Sequence, residues 1–267
     1  MDSIDRFRGL PKILGEMIAV SIISHGNANL LPSLLQQVLA FRNINLVILT
    51  LNLPEGLDLP EDTRLVVVQN DRSKGFGANH NAAFRVAEHL MPSSQSWFFC
   101  LINPDVSLPC DPFVALLAQL QTTEAGLAVP VVLSKRGQVE DSLRRFPTPT
   151  ILLLKALGGD DGRYATKPGQ EPFFPQWAAG MFMLFKAECF AALGGFDEGF
   201  FLYYEDVDIC ARAWKLGWPV VACPSVTVVH DARRASRKQL SYLRWHLASM
   251  LRYIFKHWGR LPKEAAT

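Results

Sequence analysis

Glu205, Asp206 and Asp208 put three carboxylates within four residues, directly behind the run Phe200-Phe201-Leu202-Tyr203-Tyr204. Ionised groups crowded against apolar surface repel one another and lose hydration, which raises their affinity for protons. A single acid would be enough to favour the exposed amides of a helix start; three suggest a general base or a cation site. Asn103-Pro104-Asp105 is a second candidate, a carboxylate on a proline-stiffened turn placed to bind a divalent ion that bridges phosphates. An Asx-closed turn would use the same residues without chemistry. His230 closes an apolar run and precedes Asp231, where an imidazole could complete a metal sphere or serve as a structural histidine. Lys74-Gly75-Phe76-Gly77-Ala78-Asn79-His80-Asn81 joins glycines to a helix start, which would let backbone amides approach a phosphate. It is neither GxGxxG nor a P-loop, and an ordinary turn reads the same way. Trp177 and Gly180 could give a sugar platform with close backbone approach, although a tryptophan in an apolar strand is usually core.

The elements that must position these residues follow from periodicity. Apolar runs at 17–24, 45–51, 64–69, 96–102 and 127–133 alternate with helical spacings at 30–41, 75–90 and 111–121. The strands are apolar throughout, as buried parallel strands are, so the first half is α/β with helices on both faces. Ligands of such sheets collect past the carboxyl ends of the strands. His25, Asn52, Asn70 and Asn103 to Asp105 all fall there. The second half is less regular. It holds a proline- and glycine-rich stretch at 141–176 with a helix near 150–157, then an apolar run at 177–185. A short helix at 186–193, a helix at 207–216 preceded by the acidic cluster, and two short strands within 219–230 follow. A long amphipathic helix at 237–258 ends the pattern.

The 267 residues are 49% hydrophobic and 19% charged, enough to bury a large core and too apolar for a disordered chain. Five cysteines with no CxxC pair argue against a disulfide framework or a cysteine zinc site, and for a reducing compartment. The start mixes both charges and does not read as a signal peptide. No uncharged apolar run reaches 18 residues, so no spanning helix is expected. The net charge of +2 hides an asymmetry: nine Lys or Arg against one acid from residue 233 onward, and a net −6 before it. In the last helix Leu240, Leu243, Leu247, Met250, Ile254 and Trp258 recur at threes and fours beside basic residues. That suits a helix lying in an anionic membrane plane, although packing on the domain would also explain the leucines. Nothing resembles a nucleic-acid-binding motif, and the acidic centre at 205–208 disfavours a polyanion partner.

The order of these segments carries more than any one of them. VSIISHGN, KGFGANHN, LINPD, RRFP, WAAGMFML, GGFDEGFFLYYEDVDICARAWKLGW and a closing VVH together resemble a family-2 glycosyltransferase of the GT-A fold. Within that group they look like the rhamnosyltransferases of bacterial O-antigen assembly. The resemblance implies an α/β GT-A domain at 17–232, its mostly parallel sheet flanked by helices, after an extension at 1–16 and before a basic amphipathic tail at 233–267. It implies inverting transfer of L-rhamnose from dTDP-L-rhamnose to N-acetylglucosamine on a polyprenyl pyrophosphate, at the cytoplasmic face of the inner membrane. Asp105 matches the metal position, His230 a further ligand of Mg²⁺ or Mn²⁺, and Asp206 the base. His25, Asn52, Gly75, Gly77, Asn81 and Asn103 fall to the donor side, with Asp105. Trp177, Gly180, Glu205 and Arg144 fall to the acceptor side. One departure stands out: Leu51-Asn52 replaces the usual Asp-Asn pair, which leaves room for another nucleotide-sugar donor. The rival readings are a metal-dependent nucleotidyltransferase and a non-catalytic module for membranes or nucleic acid.

Overall fold

The computed structural model describes residues 16–231 and 240–262. The extension through residue 15, and Arg233, Arg234, Arg237, Lys238 and Lys263 of the basic tail, lie outside the described residues. In chain order the elements are β1 (Met17–Ser24), α1 (Leu31–Ala40), β2 (Ile44–Leu51), β3 (Leu65–Gln69), α2 (Phe76–Leu90), β4 (Trp97–Ile102), β5 (Val106–Ser107), α3 (Phe113–Thr122) and β6 (Leu127–Ser134). Then come β7 (Leu143–Arg144), α4 (Pro149–Ala156), β8 (Trp177–Ala178), β9 (Phe182–Lys186), α5 (Ala187–Ala192), α6 (Glu205–Lys215), β10 (Val220–His230) and α7 (Leu240–His257).

Eight strands form one sheet in the order β3-β2-β1-β4-β9-β6-β10-β5. The first four are parallel, β9 runs antiparallel to both β4 and β6, and β6 and β10 are parallel again. β1 and β2 bury both faces, which accounts for their unbroken apolar sequence. Alternate residues of β1 enter two cores. Met17 and Ala19 join α2, α5 and α6, whereas Ile18, Val20 and Ile22 join α1 and α3. Each helix shows its reason locally. α1 starts at a proline and buries Leu31, Leu34, Leu35 and Val38, the stripe of an amphipathic helix. α4 starts with Pro149 behind Thr148, whose Oγ1 accepts the Ile151 N–H at 3.2 Å.

Three sequence expectations need correction. The acids at 205–208 do not precede a helix; they form the first turn of α6, because Tyr203 and Tyr204 take left-handed backbone (φ 72° and 65°) and end the turn before it. The segment 219–230 is one strand rather than two, interrupted between Cys223 and Thr227, where Pro224 has no N–H to give the ladder. The apolar run at 177–185 is divided at Gly180: β8 pairs with β7 outside the main sheet, and β9 enters it.

Candidate active site

β4 ends at Ile102, and the chain turns at once. The Asn103 N–H donates to the Met181 carbonyl at 2.9 Å, and the Asn103 carbonyl accepts from Val106 N at 3.1 Å. β5 then pairs with the end of β10, setting Val106 opposite His230. The Asp105 carbonyl accepts the Asp231 N–H at 2.8 Å. Asp105 and His230 are thereby neighbours, with Oδ2 and Nε2 3.3 Å apart. The other ring nitrogen, Nδ1, meets Glu140 Oε2 at 2.9 Å. Burial disfavours the imidazolium, but hydrogen bonding and charge from Asp105, and then Glu140, outweigh it and raise the His230 pKa.

This donor set fits a hard divalent ion. Two groups that share an octahedral ion with bonds near 2.1 Å stand about 3 Å apart, close to the spacing of Asp105 and His230. Glu140 would fix the tautomer and tilt of the ring from behind. Among the described residues no three His, Cys, Asp or Glu side chains make a closed metal cage, so phosphate and water would complete the sphere. Sequence reading missed Glu140. Its signal was the turn Ser134-Lys135-Arg136-Gly137, with Gly137 at φ 73°, which folds the chain back so that Glu140 N reaches the Val132 carbonyl.

The second station lies beside the first. Met181, which accepts from Asn103, follows Gly180, whose N–H donates to Asp206 Oδ2 at 3.1 Å. Val207 N–H donates to Asp206 Oδ1 at 2.8 Å. A Cβ on Gly180 would come within 3.2 Å of Phe76 and 3.5 Å of Asp206, so close packing explains the glycine. Asp206 is partly exposed on the floor of a cleft of about 270 Å³, walled by Trp177, Tyr203, Tyr204, His246 and Arg144. Burial raises its pKa against the pull of the two amides. Glu205 is 5% exposed, its Oε2 has no hydrogen-bond partner, and burial followed by the charge of Asp206 pushes its pKa well up. Arg144 is held by Asp141 and Asp161, and the Trp177 indole donates to the Arg145 carbonyl at 2.9 Å.

The residues expected on the donor side divide into those that brace the fold and those left at an open rim. Asn52 Nδ2 contacts His25 Nδ1 at 3.1 Å and donates to the Lys74 carbonyl at 2.9 Å; its Oδ1 accepts from Asn70 Nδ2 and Lys74 N. Asn70 passes the link to Asn79 at 2.6 Å. This buried amide chain ties the ends of β2 and β3 to the start of α2. Gly75 and Gly77 owe their identity to protein packing: an added Cβ would meet the Phe201 carbonyl or the Phe196 side chain at 2.6 Å. Asn81 is buried and clasps the Phe196 backbone through both its oxygen and its nitrogen, also reaching Glu198. His25, Asn103 and Asp105 remain at the open rim.

α7 packs on the domain through a face that its leucines do not mark. Ser249, Tyr253 and His257 are buried, and the Ser249 hydroxyl donates to the Leu202 carbonyl at 2.9 Å. Fully buried Asp208 accepts from Arg212 Nε at 2.8 Å, His257 Nε2 at 2.8 Å and Lys256 Nζ at 2.7 Å. Lys215 donates to His257 Nδ1, leaving Nε2–H for Asp208. Burial opposes the Asp208 charge, yet His257, Arg212 and Lys256 overcome it and hold the carboxyl far below its usual range. Of the leucine stripe, Leu243, Leu247 and Trp258 stay exposed, Met250 and Ile254 are half-buried, and the Leu240 side chain lies outside the described residues. No described helix is long and apolar enough to cross a membrane.

No family model matches the chain. Rhamnosyltransferase WbbL of Escherichia coli (strain K12) is 25% identical over 248 residues, covering 89% of this chain and 92% of that protein. An N-acetylglucosaminyl-diphospho-decaprenol L-rhamnosyltransferase of Mycobacterium tuberculosis is 30% identical over 219 residues, 75% of this chain and 70% of its own. Among solved structures, GalNAc-T7 with UDP, GalNAc and Mn²⁺ matches with a TM-score of 0.63 at 16% identity, over 90% of this chain. The chain spans about half the length of that structure, covering 48% of it, and the likeness is one of fold.

Proposed function

We propose that this chain, which belongs to the rhamnosyltransferase family of GT-A-fold glycosyltransferases, moves L-rhamnose from dTDP-L-rhamnose to N-acetylglucosamine on a polyprenyl diphosphate. One observation supports the reading: the Asp105–His230 pair at the ends of β4 and β10 is linked through Asn103, Met181 and Gly180 to Asp206 in the first turn of α6. A sugar nucleotide with its diphosphate at Asp105 would present the sugar towards Asp206.

Asp105 and His230 would hold Mg²⁺ or Mn²⁺, and the Mn²⁺ and UDP of the GalNAc-T7 structure support a divalent ion. When bound, such an ion neutralises charge developing on the departing nucleoside diphosphate. Glu140 keeps the His230 ring oriented. Asp206 takes the proton of an acceptor hydroxyl as that oxygen bonds to the anomeric carbon and the bond to the diphosphate breaks. A single displacement inverts the centre, and dTDP leaves. Burial serves this step, since a carboxylate whose pKa is raised is a stronger base than one in water. Trp177, Tyr203 and Tyr204 offer ring faces to a pyranose.

The decaprenyl-linked substrate named for the mycobacterial relative supports a polyprenyl acceptor and a station at the cytoplasmic face of the inner membrane. The exposed apolar residues of α7, interspersed with exposed Arg244, support peripheral attachment. Asn52, its side chain braced by five polar contacts and preceded by Leu51, supports a looser hold on the base, so other nucleotide sugars belong in the test. Turnover of a donor panel with GlcNAc-diphospho-polyprenol, with and without EDTA, provides it. dTDP released from dTDP-L-rhamnose, lost with EDTA, is the expected result. A clear preference for another sugar overturns the donor, and release of a nucleoside monophosphate overturns the class.

A further inference from the structure

The geometry points to a lipid-diphosphate subsite at the mouth of the Asp206 cleft, in which Lys155 and His246 receive the diphosphate and the leucine faces of α4 and α7 receive the isoprenoid chain. The assignment rests on the polyprenyl-linked acceptor proposed above and names where that acceptor lies.

α4 has the sequence PTILLLKA and buries none of its residues, with Leu153 60% and Leu154 41% exposed and the following Leu157 76% exposed. Leucines this exposed on one helix leave a patch, among the described residues, of the kind that marks an interaction site. Its other side faces the chemistry, since Ile151, Leu152 and Lys155 line the same cleft as Asp206. α7 runs alongside in the opposite direction. The turn at Pro147–Pro149 shares a cleft with Ile254 and Trp258, whereas Lys155, six residues on from Pro149, shares one with His246, eight residues before Ile254. On α7, Leu247, Leu251, Ile254 and Trp258 follow at intervals of four, three and four, so they form one stripe on the flank that turns towards α4. Leu247, Leu251 and Trp258 are exposed there.

Between the two apolar faces lies the cation. Arg144 is engaged by Asp141 and Asp161, and Arg145 by Asp160. Lys155 has no carboxylate partner among the described residues, and its charge acts on the His246 imidazole. An unpaired ammonium and an imidazole flanked by leucines match an amphiphile with a compact anionic head and a long branched tail. The aromatic wall inside the cleft leaves room for the sugar between that head and Asp206.

Co-sedimentation with phosphatidylcholine vesicles tests the subsite without requiring turnover. One set is doped with undecaprenyl diphosphate, and another with phosphatidylglycerol at equal charge. Wild type should prefer the undecaprenyl diphosphate vesicles about tenfold or more, as for one charge-assisted contact made to the diphosphate alone. Lys155→Ala should lose that preference. Leu153→Ser/Leu154→Ser/Leu157→Ser should lose binding to the doped vesicles while keeping its circular dichroism, since these side chains are exposed. Equal binding to both vesicle sets, or wild-type preference in either variant, overturns the subsite. Donor turnover measured in parallel separates the two claims. Preference without glycosyl transfer defeats the proposed reaction alone, and transfer without preference defeats the subsite alone.

Discussion

Replacing Asp206 with Asn isolates proton transfer from everything else the residue does. The two carboxylate oxygens each accept one amide, from Val207 at 2.8 Å and Gly180 at 3.1 Å. Asparagine keeps one oxygen, so its NH₂ must face one of those N–H groups, a mismatch that costs about 1–3 kcal/mol. Against this, the neutral amide has no charge to desolvate and no longer repels Glu205. Stability should therefore fall by no more than about 2 kcal/mol in urea denaturation. Turnover should fall about 10²–10⁴-fold, because the acceptor hydroxyl has lost its base. Donor affinity, measured by titration, should stay nearly unchanged. Glu205→Gln is the control: Glu205 keeps its proton while Asp206 ionises, so a neutral amide there should leave the acidic limb of the kcat profile near its wild-type position. The sign follows from the raised pKa values. The base works only when deprotonated, so the rate climbs as pH rises through the folded pKa of Asp206. Stability runs the other way. Two carboxyls with raised pKa values contribute fully below the unfolded value near 4 and lose that contribution as pH rises through the folded values. Near-normal turnover in the Asp206 variant with a dead Glu205 variant would refute the reasoning and move the base by one residue.

Asp208→Asn leaves Arg212, Lys256 and His257 around a neutral amide and should cost about 3–5 kcal/mol, read as a fall in Tm of roughly 6–20 °C; a fall of a degree or two would show that the cluster does not hold α7. In wild type the same group, with its pKa depressed, gives stability that is complete above pH of about 4 and is lost as pH falls further. Glu140→Gln should weaken Mn²⁺ binding about 10–100-fold in calorimetry by loosening His230, and unchanged binding would remove Glu140 from the site. Gly75→Ala forces a methyl to 2.6 Å from the Phe201 carbonyl; we expect a loss of about 1–3 kcal/mol and faster hydrogen exchange at Phe76, whereas wild-type exchange would mean that the loops separate freely.

Much of the parallel half was legible, because strands buried on both faces write themselves as unbroken apolar runs. Asp105, His230 and Asp206 were marked by residue type at strand and helix ends, and the structure brings the first two into contact and links the third through Gly180. Three features escaped for physical reasons. Glu140 reaches His230 across 90 residues of sequence, and the glycine turn before it marks a reversal of the chain without naming the partner it meets. Gly75 and Gly77 also lie against another loop of the chain, at Phe201 and Phe196, and sequence spacing does not show that close approach. In α7 the leucines are the conspicuous periodicity, yet the helix packs by Ser249, Tyr253 and His257. Buried polar contacts with Leu202 and Asp208 decide that face, and an apolar pattern does not record them.

β9 fills a slot that its neighbours cannot close for themselves. β4 and β6 are neighbours in sequence apart from the short β5, yet they flank a strand that begins only at Phe182. A chain emerging from the ribosome without β9 can carry the parallel half β3-β2-β1-β4 with a bare β4 edge, while β6 still waits for β10, which follows β9 in the chain; such an edge is open to mispairing with another copy. When β9 enters, it brings Gly180 at its leading end, and only then can α6 lay Glu205 and Asp206 against the sheet. The unfavourable desolvation of those acids is thus deferred until most of the apolar area has already left water.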